Sequence, residues 1–186
     1  GLPVVMIDRP TDDLAAAVAT IAVTGSNGKT TTSRMVAAIF RGQGFGVSQN
    51  RDGANLEQGV TTLAVQTANW AGRIPNGTVL VVEVDEGALR TIAPEIEPLV
   101  LVVTNLFRDQ LDRFGEIYAV SDVISYAAKR LPENSTLVVN ADDPLTAELG
   151  VGGTHRRVTF GLELPYSYGR LTSAADSIRC PRCQGD

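Results

Sequence analysis

At 186 residues the chain is long enough for one α/β domain with a sizeable core and a short appendage. Its formal net charge of −5, with no Lys/Arg block, argues against a nucleic-acid binder. No apolar run is long enough to span a bilayer, and residues 1–19, which carry Asp8, Asp12 and Asp13, do not resemble a signal peptide. The two cysteines fall within the last seven residues, so disulfides do not staple the fold, and a cytoplasmic setting is expected.

Residues 1–19 read as an irregular lead-in or a short edge element, and Ile21–Thr24 as the first core strand. The strand runs into Gly25-Ser26-Asn27-Gly28-Lys29-Thr30-Thr31. Glycines there let backbone N–H groups converge on an anion, and a helix opening at Lys29 adds its unpaired donors and partial positive charge. Lys29 supplies a full charge for β/γ-phosphates, and the Thr30 hydroxyl is placed to ligate Mg²⁺. The general P-loop pattern wants a glycine five residues before Gly28, where this chain has Val23. The loop is therefore the shorter Gly-x-x-Gly-Lys-Thr-Thr form.

The helix is predicted from Lys29 to about Arg41, with Met35, Val36, Ile39 and Phe40 on a buried stripe, and Gly42 and Gly44 ending it. Val47 marks a short strand, followed by the polar loop Asn50–Asn55. A second helix is predicted over Leu56–Trp70, with Val60, Leu63, Ala64 and Thr67 on one face and Trp70 as a packing anchor. Thr78–Val84 and Leu99–Thr104 are continuous apolar strands of the kind covered on both faces. Between them a short helix around Glu86–Ala93 is closed by Pro94 and Pro98. Ile117, Val120, Ile124, Ala127, Ala128 and Leu131 follow helical spacing, Thr136–Val139 is the next strand and Arg157–Phe160 a weaker one. Alternating strands and helices predict an α/β fold, a doubly wound, mostly parallel sheet of P-loop type. The sole histidine, His155, is expected on the surface. From Leu162 the pattern breaks, and the chain closes on Cys180-Pro181-Arg182-Cys183.

In an open parallel sheet ligands gather outside the carboxyl ends of the strands. Glu83 stands there as a Walker-B-like acid able to hold magnesium, or else as a solvated loop acid. Asn105–Arg113 and Asn140–Pro144 follow the next two strands, and each reads either as part of a site or as ordinary capping and turn chemistry. Cys180 and Cys183 could be half of a tetrahedral zinc site, a redox dithiol or an accident of spacing.

Taken together, Gly25–Thr31, Glu83, Asn105-x-x-x-Asp109-x-Leu111-Asp112 and Asn140-Ala141-Asp142-Asp143 resemble the central ATPase domain of the Mur ligases, over roughly Ile21 to Phe160. Asn105–Glu116, with Gln110 where the amino-acid-adding members have histidine, is similar to the MurT branch. That branch is the synthetase subunit of lipid II isoglutaminyl synthases and works with a GatD-type glutaminase. The resemblance implies an ATP- and Mg²⁺-dependent carbon–nitrogen ligase of peptidoglycan synthesis. It would amidate the α-carboxylate of D-glutamate in the lipid II stem peptide through an acyl phosphate, at the cytoplasmic face of the membrane, with ammonia from a heterodimeric glutaminase partner. It also implies roles: Gly25, Ser26, Asn27, Gly28, Lys29, Thr30, Thr31, Asn55, Asn105, Asp109, Asn140 and Asp143 at ATP, Lys29 stabilising phosphoryl charge, and Thr30 and Glu83 at magnesium. Cys180 and Cys183 would be the first knuckle of a structural zinc ribbon lacking two ligands. Residues 1–161 would form the incomplete ATP-binding domain and 162–186 the start of the ribbon. The ligase domain and principal catalytic residue are expected outside this chain, so that the fragment alone is expected to be inactive. Lys129 does not match the register of the family's carbamylated lysine and takes no role. Competing expectations are another Mur-type ligase, of folylpolyglutamate or cyanophycin kind, and a non-catalytic nucleotide-binding module.

Overall fold

Two apolar runs dictate the centre of the molecule. Every residue of Thr78–Glu83 and of Val100–Val103 is buried, because successive side chains of each strand enter two different cores. The computed structural model describes residues 18–50, 53–107 and 116–162, with the side chains of 116–118 left aside. Within them lie β1 (Ala19–Thr24), α1 (Lys29–Gly42), β2 (Gly46–Gln49), α2 (Glu57–Thr67), β3 (Thr78–Glu83), α3 (Leu89–Ile96), β4 (Val100–Val103), α4 (Glu116–Ala128), β5 (Thr136–Asn140), α5 (Pro144–Ala147) and β6 (Arg156–Phe160).

The six strands form one sheet in the order β2-β3-β1-β4-β5-β6, and every pairing is parallel. The connection from β1 to β2 runs toward one edge, whereas every later connection runs back toward the other. A common crossover hand therefore sends α1 to one face and α2–α5 to the opposite one. The cores divide in the same way. Ile21, Val23, Val79, Val81, Val100 and Val102 pack with Val36, Ala37 and Phe40 of α1. Ala22, Leu80, Val82, Leu101 and Val103 pack with Leu63, Leu89, Ile92, Ile124 and Leu145. The chain thus doubles back at β1, and the loop after β1 sits at the reversal of strand order where such sheets bind ligands.

Several helix details differ from the sequence expectation. The buried stripe of α1 is Ser33, Val36, Ala37 and Phe40, whereas Met35 and Ile39 are exposed. Positions 33, 36, 37 and 40 make an unbroken helical stripe, and small residues at two of them let α1 lie close to the sheet. Pro94 does not close α3 but lies inside it, near its end. Trp70 anchors nothing in the described residues: it lies beyond the end of α2, fully exposed, beside exposed Val65. His155 is buried rather than superficial, 6% exposed, and its Nε2 has no hydrogen-bond partner. The turn before β6 folds over its ring so tightly that a Cβ on Gly153 would stand 2.6 Å from His155 Cε1. Burial holds the His155 pKa below its ordinary value.

Candidate functional site

The site begins at the end of β1, where the chain must turn sharply into α1. Gly25 takes φ +123°, and a Cβ there would fall on the Thr104 hydroxyl and 2.8 Å from the Asn105 carbonyl oxygen. Only glycine meets both demands. Gly28 is the N-cap of α1 at φ 81°; it carries no capping side chain, and the space off its Cα is open. The first turn of α1 holds no acidic residue that would compete for its N–H groups. An uncapped helix end facing open space is an anion site in waiting.

Two charged partners close around this end. The Thr30 hydroxyl donates to Glu83 Oε2 at 2.8 Å. Glu83 is the last residue of β3 and only 6% exposed, so the solvated-acid reading does not describe it. Lys29 Nζ donates to the carbonyls of Gly25 (2.6 Å) and Ser26 (3.3 Å) and pairs with Glu86 Oε1 at 3.1 Å. Hydroxyl and carboxylate oxygens are the hard donors magnesium takes. Two protein ligands are enough for that ion, which keeps waters and phosphate oxygens in the rest of its shell.

Glu83 is held by a residue the sequence reading left without a role. Asn50, at the end of β2, accepts from the Glu83 backbone N–H at 2.8 Å and donates through Nδ2 to the Glu83 carbonyl at 2.8 Å. The same Nδ2 donates to the Ala54 carbonyl at 2.7 Å, while the Asn55 carbonyl accepts from the Asp85 N–H at 2.8 Å. This splice carries Gly53–Asn55 to the mouth of the cradle. Nothing local marks Asn50 in the sequence, because its main partner is 33 residues away.

The opposite wall is the end of β4. Ser26 and Phe107 exchange hydrogen bonds, and the Asn27 N–H donates to Asn105 Oδ1 at 2.9 Å while Asn105 Nδ2 donates back to the Asn27 carbonyl at 3.1 Å. The Thr104 hydroxyl donates to the Asn27 carbonyl at 2.7 Å. One strand further along the sheet, after β5, Asp143 is buried and accepts from Leu106 N–H at 2.7 Å and from Leu145 N–H at 3.1 Å, which makes it the N-cap of α5. Burial raises its pKa, outweighing backbone hydrogen bonds from Leu106, Leu145 and Thr146 that favour the charged form. Asn140 Nδ2 donates to the Thr104 carbonyl at 3.1 Å, and its Oδ1 accepts from Asp142 N–H at 2.9 Å.

A cradle of this form on a parallel sheet is common to many nucleotide-binding proteins, and the comparison with known chains separates them. The Mur ligase middle domain family matches residues 23–177. This chain belongs to that family. Among its curated relatives, the MurT subunit of lipid II isoglutaminyl synthase from Streptococcus pneumoniae is 35% identical over 167 residues, spanning 89% of this chain and 36% of the relative. The MurT subunit of Staphylococcus aureus strain COL is 30% identical over 161 residues, 87% of this chain and 35% of the relative. A UDP-N-acetylmuramate–L-alanine ligase from Mycobacteroides abscessus is 32% identical over 157 residues, 80% of this chain and 28% of the relative. The chain thus spans about a third of the length of the curated relatives it matches. Among solved structures, MurF from Acinetobacter baumannii superposes with a TM-score of 0.66 at 22% identity, covering 81% of this chain and 33% of that one. MurF from Thermotoga maritima in complex with ADP gives 0.64 at 23%, covering 83% and 37%. These two share the fold.

Within this Mur ligase middle domain, the structure brings Gly25–Thr31, Glu83 and Asn105 together around the helix end, with Asn55 on the adjoining loop. Asn140 and Asp143 stand one strand further on, engaged with backbone. Asp109 lies outside the described residues, as do Cys180 and Cys183. Among the described residues there is no cluster of three or more His, Cys, Asp or Glu side chains that could hold a metal. No helix among them is long and apolar enough to cross a membrane.

Proposed function

We infer that this chain is the nucleotide-binding part of an ATP-dependent amide ligase of the MurT kind. One observation carries the reading: Lys29 and the Thr30–Glu83 pair converge on an uncapped helix N-terminus at the reversal point of a parallel sheet. The finer assignment is supported by the two MurT relatives, each matched over most of this chain.

In the proposed reaction a carboxylate oxygen of the substrate attacks the γ-phosphorus of ATP and ADP leaves. Ammonia then attacks the acyl carbon of the resulting acyl phosphate, inorganic phosphate leaves, and the nitrogen loses a proton to give the primary amide. The substrate carboxylate would be the α-carboxylate of D-glutamate in lipid II, with ammonia delivered by a glutaminase subunit. Gly25–Thr31 would wrap the phosphates with backbone N–H groups, and Lys29 would screen charge on the transferring group. Thr30 and Glu83 would hold Mg²⁺, which when bound neutralises phosphate charge and orients the γ-phosphoryl group. Asn55, Asn105, Asp109, Asn140 and Asp143 would border the nucleotide, Asn140 and Asp143 mainly by shaping the wall. Residues 1–161 would form this domain. Cys180 and Cys183 would contribute two of four zinc ligands, which zinc analysis of the intact protein would check.

The alanine-ligase relative favours a second reading, in which the acceptor nitrogen belongs to an amino acid. Supplying the intact protein with lipid II, ATP and either ammonia or an amino acid separates the two. Ammonia-dependent ADP formation is expected. Lys29→Ala should reduce it about 10³-fold. Wild-type turnover that required an amino acid would favour the second reading, and normal turnover in Lys29→Ala would overturn the loop assignment. Nucleotide binding with no turnover under either condition would leave a non-catalytic module.

A further inference from the structure

Lys29 is fully engaged before any ligand arrives. An ammonium has three N–H donors, and these face the carbonyls of Gly25 and Ser26 and Glu86 Oε1, at 2.6, 3.3 and 3.1 Å. The Lys29 and Glu86 side chains are 14% and 15% exposed, so this pair is shielded from bulk water far more than a surface salt bridge. Glu86 is also placed by a built turn. The Gly87 N–H donates to Asp85 Oδ1 at 2.9 Å, and the Asp85 N–H is tied to the Asn55 carbonyl at 2.8 Å. Two carboxylates therefore flank the loop, Glu83 through Thr30 and Glu86 through Lys29.

A bare polyphosphate reaching this loop must take Lys29 from Glu86 and then lie beside both carboxylates. A polyphosphate already chelated to a divalent cation carries less negative charge and brings a cation that Glu83 can hold. We propose that Glu86 is a specificity-determining residue that makes the cradle reject metal-free nucleotide and accept the metal complex. The proposal rests on the nucleotide-binding reading above. Glu86 acts through Lys29 and is not itself assigned to the metal.

The test is calorimetric titration of the intact protein with ADP, once in Mg²⁺ and once in EDTA. Wild type, Glu86→Gln and the control Glu95→Gln are compared; Glu95→Gln removes the same charge from the exposed side of α3. Glu86→Gln should tighten metal-free ADP about tenfold, equivalent to about 1.4 kcal/mol, and change the Mg²⁺ complex several-fold less. Glu95→Gln should change neither. Equal shifts in both buffers, no shift, or a loss of affinity confined to Mg²⁺ would overturn the assignment, the last by making Glu86 a metal ligand. Wild-type protein that binds ADP in neither buffer would overturn the nucleotide reading itself, and the role of Glu86 with it.

Discussion

The two halves of the sheet each present a buried carboxylate at or just beyond their strand ends, Glu83 and Asp143, and use it in opposite ways. On the β1/β3 side, Lys29 pairs with Glu86 and Thr30 with Glu83 beside open space, Lys29 also holding the Gly25 and Ser26 carbonyls. On the β4/β5 side, the Asp143 and Asn140 side chains are bound to backbone groups at the ends of these strands and of α5. Side chains bound to each other can exchange partners for a ligand, whereas a carboxylate holding buried N–H groups cannot leave without stranding them. On the proposed reading, one half would be the receptor and the other its abutment.

The two meet at Gly25, so Gly25→Ala should break both at once. With φ at +123° and Thr104 and Asn105 in the way, the loop must move, at a cost of about 3 kcal/mol or more in denaturant unfolding, with loss of nucleotide binding. Asp143→Ala should separate the halves. It strands two buried N–H groups, so stability should fall by about 3 kcal/mol and the midpoint by about 10 °C in calorimetry. Nucleotide affinity of the protein still folded at low temperature should fall far less than in Gly25→Ala. Glu83→Gln should do the reverse: the Thr30 hydrogen bond survives and stability changes little, but affinity for Mg²⁺·ADP drops about tenfold, or about 1.4 kcal/mol.

The smallest effect is on pH dependence, away from the site. Burial lowers the His155 pKa, so the unfolded chain binds the proton more readily below about 6.5. Its contribution to stability is therefore present above that pH and lost as pH falls toward the folded value. Unfolding midpoints should be lower at pH 5.5 than at 7.5, with less difference in His155→Gln. Asp143 has the opposite sign: its raised pKa gives a contribution present below 3.8 and lost as pH rises through the folded value.

Much of the receptor half was legible in the chain because it is local. Gly25 to Thr31 encode a turn and a helix start within seven residues, and the apolar runs before Glu83 and Thr104 can only be strands covered on both faces. The abutment was ambiguous, since capping and ligand contact call for the same residues. Only the approach of Leu106 to Asp143, across 37 positions, shows what that carboxylate holds. The sequence also misplaced the stripe of α1, as hydrophobicity pointed to Met35 and Ile39 while close packing selected Ser33 and Ala37.

By itself, then, the sequence determined most of the elements, their parallel alternation and the glycine turn that opens α1, all of which follow from short-range periodicity and turn chemistry, whereas the strand order came from the structure. Tertiary structure alone decided which acid faces the loop hydroxyl, which one occupies its lysine, that Asn50 splices β2 to β3, and that the lone histidine is buried. Those choices depend on groups 33 to 57 residues apart, or on a glycine turn closing over a ring, and no local pattern records them.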